Sequence, residues 1–173
     1  MEAEYPGYSW EGLEVETEDE YLLTLFHVWI EGETDDSKPP IMMQHGKDSS
    51  AVQWLTQQKA SIATFAYLGH DVYIGNNRGV EYSQGHESLD MWEDAEDYWN
   101  FSFHEMAYDV YANVQTMYDQ TERKGYFFGN DQGSIQMNVA LALDETRLTD
   151  KLNRVIELAP CTVSGTLNRP RLT

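Results

Sequence analysis

Basic side chains, cysteine and long apolar runs are all scarce in this chain. Each scarcity argues against one kind of partner, bond or segment. Only 11 lysine and arginine residues accompany 30 aspartate and glutamate residues, so the formal net charge is −19 over 173 residues. Such a surface repels nucleic-acid phosphates, and we expect no nucleic-acid partner. The single cysteine, Cys161, excludes an intrachain disulfide. No window approaches the roughly 20 apolar residues of a membrane span, so we expect no transmembrane segment.

The first residues of the chain also lack targeting features. Residues 1–6 contain neither the basic and apolar regions of a secretory signal nor the arginines of a transit peptide. We therefore expect an intracellular protein, with a leader removed before residue 1 as the alternative. The content of 41% hydrophobic and 13% aromatic residues predicts a folded domain. The acidic stretches are typical of solvated loops, and attachment to a basic partner or halophilic adaptation are the alternatives.

The pentapeptide Gly129-Asn130-Asp131-Gln132-Gly133 lies between a strand-like segment and a helix-like segment. Its two glycines match the frame of the G-x-S-x-G elbow, in which a tight strand-to-helix turn presents a nucleophile. An ordinary glycine-containing loop is the alternative for the pentapeptide alone. Residues 125–128 form the predicted strand. Residues 134–143 form the predicted helix, whose inward face is expected to hold Ile135, Val139, Ala142 and Leu143.

Further helices and strands alternate along the chain. We predict strands over residues 21–30 and 71–75, and helices over residues 51–68 and 103–118. Residues 31–40 form the clearest loop. Such alternation predicts a mostly parallel sheet flanked by helices. The second long helix is expected to face inward through Phe103, Met106, Ala107, Val110, Val114 and Met117.

Six further segments follow one another along the chain: residues 17–23 (TEDEYLL), 40–46 (PIMMQHG), 69–79 (GHDVYIGNNRG), 82–86 (YSQGH), 98–107 (YWNFSFHEMA) and 155–160 (VIELAP). In this order they resemble the acid lipase family, which contains the gastric and lysosomal acid lipases. The resemblance implies a truncated α/β-hydrolase fold with an N-terminal antiparallel hairpin. It also implies that residues 1–173 are a single partial domain, without the lid and the C-terminal strands.

The resemblance also implies an oxyanion loop at His45-Gly46-Lys47. In that loop the N–H of Lys47 would pair with the N–H of Gln132 around a substrate oxygen. A tight turn kept for folding is the alternative. The side chains of Asn76, Asn77 and Arg78 are expected to orient this loop.

Several positions depart from the family pattern. Asn130 and Asp131 stand where the family has histidine and serine, and Glu20 replaces a glycine expected at the hairpin turn. The stretch 108–110 is one residue short, and Tyr111 replaces a proline. The family order of triad residues is serine, acid, histidine. Every histidine precedes Asp131, namely His27, His45, His70, His86 and His104, so this chain alone cannot assemble a triad.

Three functions are consistent with these sequence features. The first, which we favour, is a catalytically inactive scaffold serving as a subunit of a larger complex. The second is an ester hydrolase in which Asp131 acts as the nucleophile. The third is a lipase-type enzyme completed by a second chain. We expect an unpaired sheet edge, covered by another protein chain in a hetero-oligomer, by a copy of this chain or by residues 161–173.

Other side chains are expected to be structural. Trp54, Trp92 and Trp99 are predicted to pack rather than to bind a ligand. The spacing of His104, Glu105 and Asp109 would place three possible metal ligands near one another on a helix, but a lone cluster of this kind is common by chance. We therefore expect no metal and no cofactor.

Overall fold

The computed structural model describes residues 7–56 and 59–160. Within these residues, strands and helices alternate after an N-terminal hairpin, as expected. The strands are β1 (Tyr8–Glu16), β2 (Tyr21–Ile30), β3 (Ile41–Gln44), β4 (Val72–Gly75), β5 (Gly85–His86), β6 (Gly125–Asn130) and β7 (Leu152–Leu158). The helices are α1 (Val52–Thr56), α2 (Lys59–Tyr67), α3 (Ala95–Tyr98), α4 (Met106–Thr121), α5 (Gln132–Asp144) and α6 (Thr146–Thr149).

The strands form one mixed sheet in the order β1-β2-β4-β3-β6-β7, with β5 paired to β2. β1, β2 and β4 are joined by antiparallel pairing, whereas β3 pairs in parallel with both β4 and β6, and β6 with β7. All four residues of β3 and all four of β4 are buried. Helices on both faces explain this burial, because a parallel strand in such a sheet has no solvent-facing side.

Alternate side chains of the central strands enter two separate cores. Met42 and Tyr73 belong to the core that includes α4 and α5 side chains such as Val110 and Met137. Their neighbours on the same strands enter a second core, together with α1 and α2 side chains. Those neighbours are Ile41, Met43, Val72 and Ile74. The two-residue period of a strand therefore produces a three-layer α/β/α arrangement.

The hairpin turn explains why the resemblance implies glycine at position 20. Glu20 has φ of 71°, in the left-handed region that glycine adopts most easily. The turn is closed by hydrogen bonds from the Glu20 N–H to the Thr17 carbonyl, at 3.0 Å, and from the Tyr21 N–H to the Thr17 hydroxyl, at 2.9 Å. These contacts hold a glutamate in a backbone conformation that ordinarily costs it roughly 1 kcal/mol.

One of the two long predicted helices needs correction. The helix expected over residues 51–68 is helical in α1 and α2, and residues 57–58 lie outside the described residues. The helix expected from residue 103 begins at Met106, and Phe103 is 41% exposed instead of facing inward. The remaining inward positions are confirmed, because Met106, Ala107, Val110, Val114 and Met117 are buried.

The predicted inward face of α5 was wrong. Ala142 and Leu143 are exposed, and Ile135 and Val139 are only half-buried. The buried positions are instead Gly133, Ser134, Gln136, Met137 and Ala140. The reason is that Gly133 lies directly against the Gln44 carbonyl at the end of β3, and positions three, four and seven residues later share that side of a helix. Apolar periodicity alone did not reveal this constraint.

In the part of the chain that the structure describes, the sheet has two edge strands, β1 and β7. β1 pairs only with β2, and β7 pairs only with β6. Beside β7, Phe65, Tyr126, Phe128 and Ile156 help to line a cleft of about 330 Å³ on one face of the sheet. Leu141, Leu148, Leu152 and Val155 help to line a cleft of about 180 Å³ on the other. The tail proposed as a cover, residues 161–173 with Cys161, lies outside the described residues. No helix among those described has the length and hydropathy needed to span a bilayer.

Candidate functional site

The centre of the candidate site is the turn between β6 and α5. Asp131 is the single residue between the strand and the helix, and it has φ of 47° and ψ of −106°. This is an unusual conformation for a residue with a side chain, and it requires support from the surrounding structure. The Asp131 N–H donates to the Leu158 carbonyl at 2.9 Å, and the Asp131 carbonyl accepts the Ser134 N–H at 3.1 Å. The pentapeptide is therefore a strained strand-to-helix turn and not an ordinary loop.

Both glycines of the pentapeptide are required by close backbone contacts. A Cβ atom on Gly129 would lie 2.7 Å from the Ser134 nitrogen. A Cβ atom on Gly133 would lie 2.6 Å from the Gln44 carbonyl oxygen. Neither neighbour is a flexible side-chain end that moves easily aside. The spacing of two glycines around Asp131 is thus a packing requirement of this turn.

The loop that follows β3 lies directly against this elbow. The Lys47 N–H donates to Asp131 Oδ2 at 3.1 Å. A Cβ atom on Gly46 would be 3.2 Å from Asp131 Cβ. The structure therefore brings the His45-Gly46-Lys47 segment and Asp131 together. The Lys47 N–H, which the resemblance implies as an oxyanion donor, here points at a carboxylate of the chain itself.

The neighbouring residues of the pentapeptide are held from several directions. Asn130 ends β6 with its side chain half-buried, close to Gly46. Gln132 begins α5, and its side-chain amide lies 3.7 Å from the Met106 sulfur. The elbow is consequently packed against α4 as well as against the loop after β3.

His45 belongs to this loop but cannot serve as a base in the site. Its Nε2 accepts the Asn77 N–H at 3.1 Å, so the ring proton is on Nδ1, which donates to the Gly46 carbonyl at 2.8 Å. Burial lowers the pKa of His45, while the hydrogen bond to Gly46 opposes this effect in part. The imidazole is neutral, buried and engaged at both nitrogens.

Amide side chains fix the two ends of the same loop. Asn77 Oδ1 accepts from Gln44 Nε2 at 2.5 Å, and Asn76 Oδ1 accepts the Ala51 N–H at 2.9 Å. Between these points, Gln53 Oε1 accepts the Gly46 N–H at 3.0 Å. The roles of Asn76 and Asn77 agree with expectation. Gln53 was not anticipated, because nothing in the sequence marks a helical glutamine as a loop anchor.

Arg78 does not orient the loop, contrary to expectation. Its guanidinium bonds Asp109 at 2.7 Å and Asp19 at 2.6 Å, and it lies 4.0 Å from the centre of the Tyr21 ring. Burial by itself would lower the pKa of Arg78, but the two carboxylates outweigh burial and raise it. Arg78 is a charged hub that joins the hairpin turn, the loop after β4 and α4.

The metal site considered for α4 does not form. Asp109 is buried in its pair with Arg78, and Glu105 accepts hydrogen bonds from Ser102. Across residues 7–56 and 59–160, no group of three potential ligands lies close enough to hold a metal ion.

The tryptophan predictions were only partly right. Trp54 is fully buried, as expected, whereas Trp92 is 78% exposed and Trp99 is 44% exposed. Trp99 retains one packing role, because its ring would collide with a Cβ atom on Gly79.

Comparison with known proteins agrees with this geometry. A family profile described as a partial alpha/beta-hydrolase lipase region matches residues 2–58. Lipase lipl-1 of Caenorhabditis elegans is 31% identical over 166 residues, which cover 89% of this chain and 40% of that protein. Gastric triacylglycerol lipase of Mus musculus is 32% identical, over 90% of this chain and 40% of that protein. The chain belongs to the acid lipase family. It spans about 40% of the length of these acid lipase relatives.

Solved structures show the same fold at lower identity. The Pyrococcus furiosus esterase Pf2001 superposes with a TM-score of 0.61 at 18% identity, over 88% of this chain and 53% of that chain. The Bacillus licheniformis lipase BlEst2 gives a TM-score of 0.57 at 19% identity, over 79% and 46% of the two chains. This acid lipase homologue therefore has an α/β-hydrolase fold. Asp131 lies at the turn between β6 and α5 of that fold.

Proposed function

We propose that this acid lipase homologue is a catalytically inactive, lipase-like scaffold that acts as a structural or assembly subunit of a larger complex. The observation that supports inactivity is the hydrogen bond between Asp131 Oδ2 and the Lys47 N–H, at 3.1 Å. That donor is the group expected to stabilise a developing oxyanion. In this chain it is already occupied by a carboxylate.

The aspartate opposes acyl transfer in two ways. A carboxylate at the elbow is a different nucleophile from the serine that the fold ordinarily presents. Its negative charge also lies beside the Lys47 N–H, where the oxyanion of a tetrahedral intermediate would develop. Removing a single oxyanion-hole donor costs about 3–4 kcal/mol of transition-state stabilisation in serine hydrolases. Here the Lys47 N–H is present but already hydrogen-bonded to Asp131. The negative carboxylate also lies next to the place where a negative oxyanion would form.

The surroundings of Asp131 in the described residues support the same conclusion. His45, in the loop that contacts the elbow, is neutral and hydrogen-bonded at both ring nitrogens. An aspartyl-ester mechanism would also need a base, because a water molecule must be activated to release the product. The described site holds no free imidazole for either mechanism.

The subunit role rests on the edge beside β7, which is open among residues 7–56 and 59–160. In that part of the chain β7 pairs on one side only and apolar clefts lie on both faces beside it, an arrangement that favours association with another polypeptide. A further strand and its helix would cover these clefts. We therefore propose a hetero-oligomer in which a second chain adds to β7, with residues 1–173 acting as a single partial hydrolase domain.

A second candidate is a lipid or ester hydrolase completed by residues from that second chain. The observation that favours it is the retained contact between the elbow and the loop after β3. Gly133 lies against the Gln44 and His45 carbonyls, and the Lys47 N–H donates to Asp131 Oδ2. In that case the partner would supply a histidine, and the Asp131 carboxylate would have to leave the Lys47 N–H before it attacks an ester.

Hydrolysis of short-chain nitrophenyl esters by the purified chain tests inactivity. We expect no turnover above background for the chain, for Asp131→Asn or for Asp131→Ser, with Asp119→Asn on the exposed side of α4 as the matched control. Turnover by the chain that Asp131→Asn abolishes would establish an aspartate nucleophile. Rapid turnover by Asp131→Ser alone would show that a base is present after all.

Native mass spectrometry of the protein isolated from its source tests the assembly. A partner without hydrolase strands is the expected result for a scaffold. A partner that carries later hydrolase strands and a histidine would favour the second candidate. A soluble monomer would contradict the assembly proposal.

A further inference from the structure

The loop between α3 and α4 contains the tripeptide Asn100-Phe101-Ser102. Asparagine followed two residues later by serine, with a residue other than proline between them, is the acceptor pattern for N-linked glycans. No other asparagine in the sequence has serine or threonine at that spacing. We propose that Asn100 is an N-glycosylation site of this protein.

The loop presents the acceptor to solvent. Asn100 and Ser102 are both exposed, and the tripeptide has no regular secondary structure. Phe101 turns the other way, with its ring centre 5.8 Å from that of Tyr21 and 5.5 Å from the guanidinium carbon of Arg78. The half-buried phenylalanine anchors the loop to the Arg78 hub. Its two neighbours are consequently held at the surface.

The folded loop is compatible with a glycan added before folding. The Ser102 hydroxyl donates to the Glu105 carboxylate at 2.7 Å, so this hydroxyl is engaged once α4 has formed. Glycan transfer would therefore precede formation of that contact. The attached sugar would project from an exposed amide and would displace no core side chain.

The transfer is a substitution at the first sugar. The side-chain nitrogen of Asn100 would form an N-glycosidic bond to the anomeric carbon of a lipid-linked oligosaccharide donor. The bond from that carbon to the lipid pyrophosphate would break, and the pyrophosphate would leave with the bonding electrons. The Asn100 nitrogen would lose one proton to a base of the transferase.

The surface around Asn100 gives the glycan a physical role. Three large aromatic side chains in this region are exposed, namely Trp92 at 78%, Trp99 at 44% and Phe103 at 41%. Trp99 also donates to the Met91 carbonyl at 3.1 Å, which places it beside the segment that carries Trp92. Apolar surface of this kind favours association. A glycan on Asn100 would cover part of it.

A glycan on Asn100 would also indicate the compartment of the protein. N-glycans of this type are added in the secretory pathway, so glycosylation of Asn100 would require a protein that enters that pathway. This differs from the intracellular location expected from residues 1–6. It is independent of whether Asp131 has any catalytic role.

The test is peptide mass mapping of the full chain isolated from its source, before and after treatment with peptide N-glycosidase. We expect the enzyme to remove a glycan and to convert Asn100 to aspartate. An unmodified Asn100 in the source protein overturns the proposal. Because this measurement uses the natural chain, its outcome does not depend on whether any variant folds.

Variants secreted from a eukaryotic host with an added signal sequence locate the modification. Asn100→Gln and Ser102→Ala are each expected to abolish the glycan, whereas Ser102→Thr retains it. Asn153→Gln is the matched control, because Asn153 is exposed but lies outside any acceptor pattern. A glycan that persists in Asn100→Gln would overturn the assignment.

Discussion

Asp109 and Asp131 are two aspartates whose surroundings differ in almost every respect. Asp109 is fully buried and accepts hydrogen bonds from the Arg78 side chain and from the Arg78 N–H. Asp131 is half-buried, and its carboxylate accepts from one backbone donor, the Lys47 N–H. The first is part of a paired network, whereas the second is a lone charge at a strained turn.

The contrast shows that the elbow backbone and the side chain of Asp131 are held by different contacts. The elbow backbone depends on close contacts at Gly129 and Gly133, which do not involve the Asp131 carboxylate. Stability should therefore respond strongly to changes in the Arg78 hub and the elbow glycines. It should respond weakly to the identity of the residue at position 131.

The largest effect is expected for Asp109→Asn. This change leaves the buried Arg78 guanidinium without one of its two carboxylates, and breaking a buried pair costs about 3–5 kcal/mol. We expect a decrease of this size in the free energy of unfolding, measured by urea denaturation. Asp119→Asn, on the exposed face of the same helix, is the control and should change it by less than about 0.5 kcal/mol. A loss below 1 kcal/mol for Asp109→Asn would contradict the expected difference in stability effect between Asp109 and Asp131.

Gly133→Ala is expected to have the next largest effect. The new Cβ atom would lie 2.6 Å from the Gln44 carbonyl oxygen. Displacing this backbone contact should cost about 2–3 kcal/mol of the free energy of unfolding, as overpacking does elsewhere. The matched control is Gly12→Ala in β1, where the nearest atom would be 3.6 Å away. Equal effects of the two alanines would show that the elbow is looser than its distances indicate.

Asp71→Asn extends the comparison to a paired carboxylate near the protein surface. Burial alone would raise the pKa of Asp71, but hydrogen bonds from His27 and Arg123 outweigh it and lower the pKa. The native state therefore binds fewer protons than the unfolded state. The stabilisation is present above the unfolded pKa of 3.8 and is lost as pH falls through the folded pKa.

Urea denaturation across pH 3 to 7 measures this dependence. We expect Asp71→Asn to lose about 1.5–2 kcal/mol at neutral pH, and the difference from the unmodified chain to shrink below about pH 4. Asp36→Asn is the control, because Asp36 contacts the same arginine at 3.6 Å with a side chain that is 93% exposed. A loss that is constant with pH would mean that the carboxylate charge of Asp71 is not the cause.

The smallest effect is expected for Asp131→Asn. This substitution keeps the side-chain shape and an oxygen that can accept the Lys47 N–H, while it removes the charge. The free energy of unfolding should change by no more than about 0.5 kcal/mol, as for an ordinary surface position. Urea denaturation of Asp131→Asn and Asp109→Asn under the same conditions measures the difference between the two positions. A loss above 2 kcal/mol would show that the Asp131 carboxylate supports the elbow backbone.

Apolar patterns correctly predicted those strands and helices that are specified by residues within a short segment. The strand before the elbow, the hairpin and the inward face of α4 were visible as apolar periodicity, and the ordered segments indicated the fold. The inward face of α5 was not, because Gly133, rather than an apolar side chain, brings that helix to the sheet. Trp92 and Phe103 were misplaced for a related reason: aromatic character predicts burial only where a neighbouring element provides cover.

The sequence by itself determined the α/β-hydrolase architecture and the aspartate between the two glycines of the pentapeptide. Glycine spacing and strand-helix alternation depend on residues that are close together in the sequence, so they are visible without the structure. Tertiary structure decided that the Asp131 carboxylate meets the Lys47 N–H, that His45 is engaged at both nitrogens and that Arg78 joins Asp19 to Asp109. These contacts bring together residues from separate strands, loops and helices. Only the packing of the sheet brings such residues within hydrogen-bonding distance.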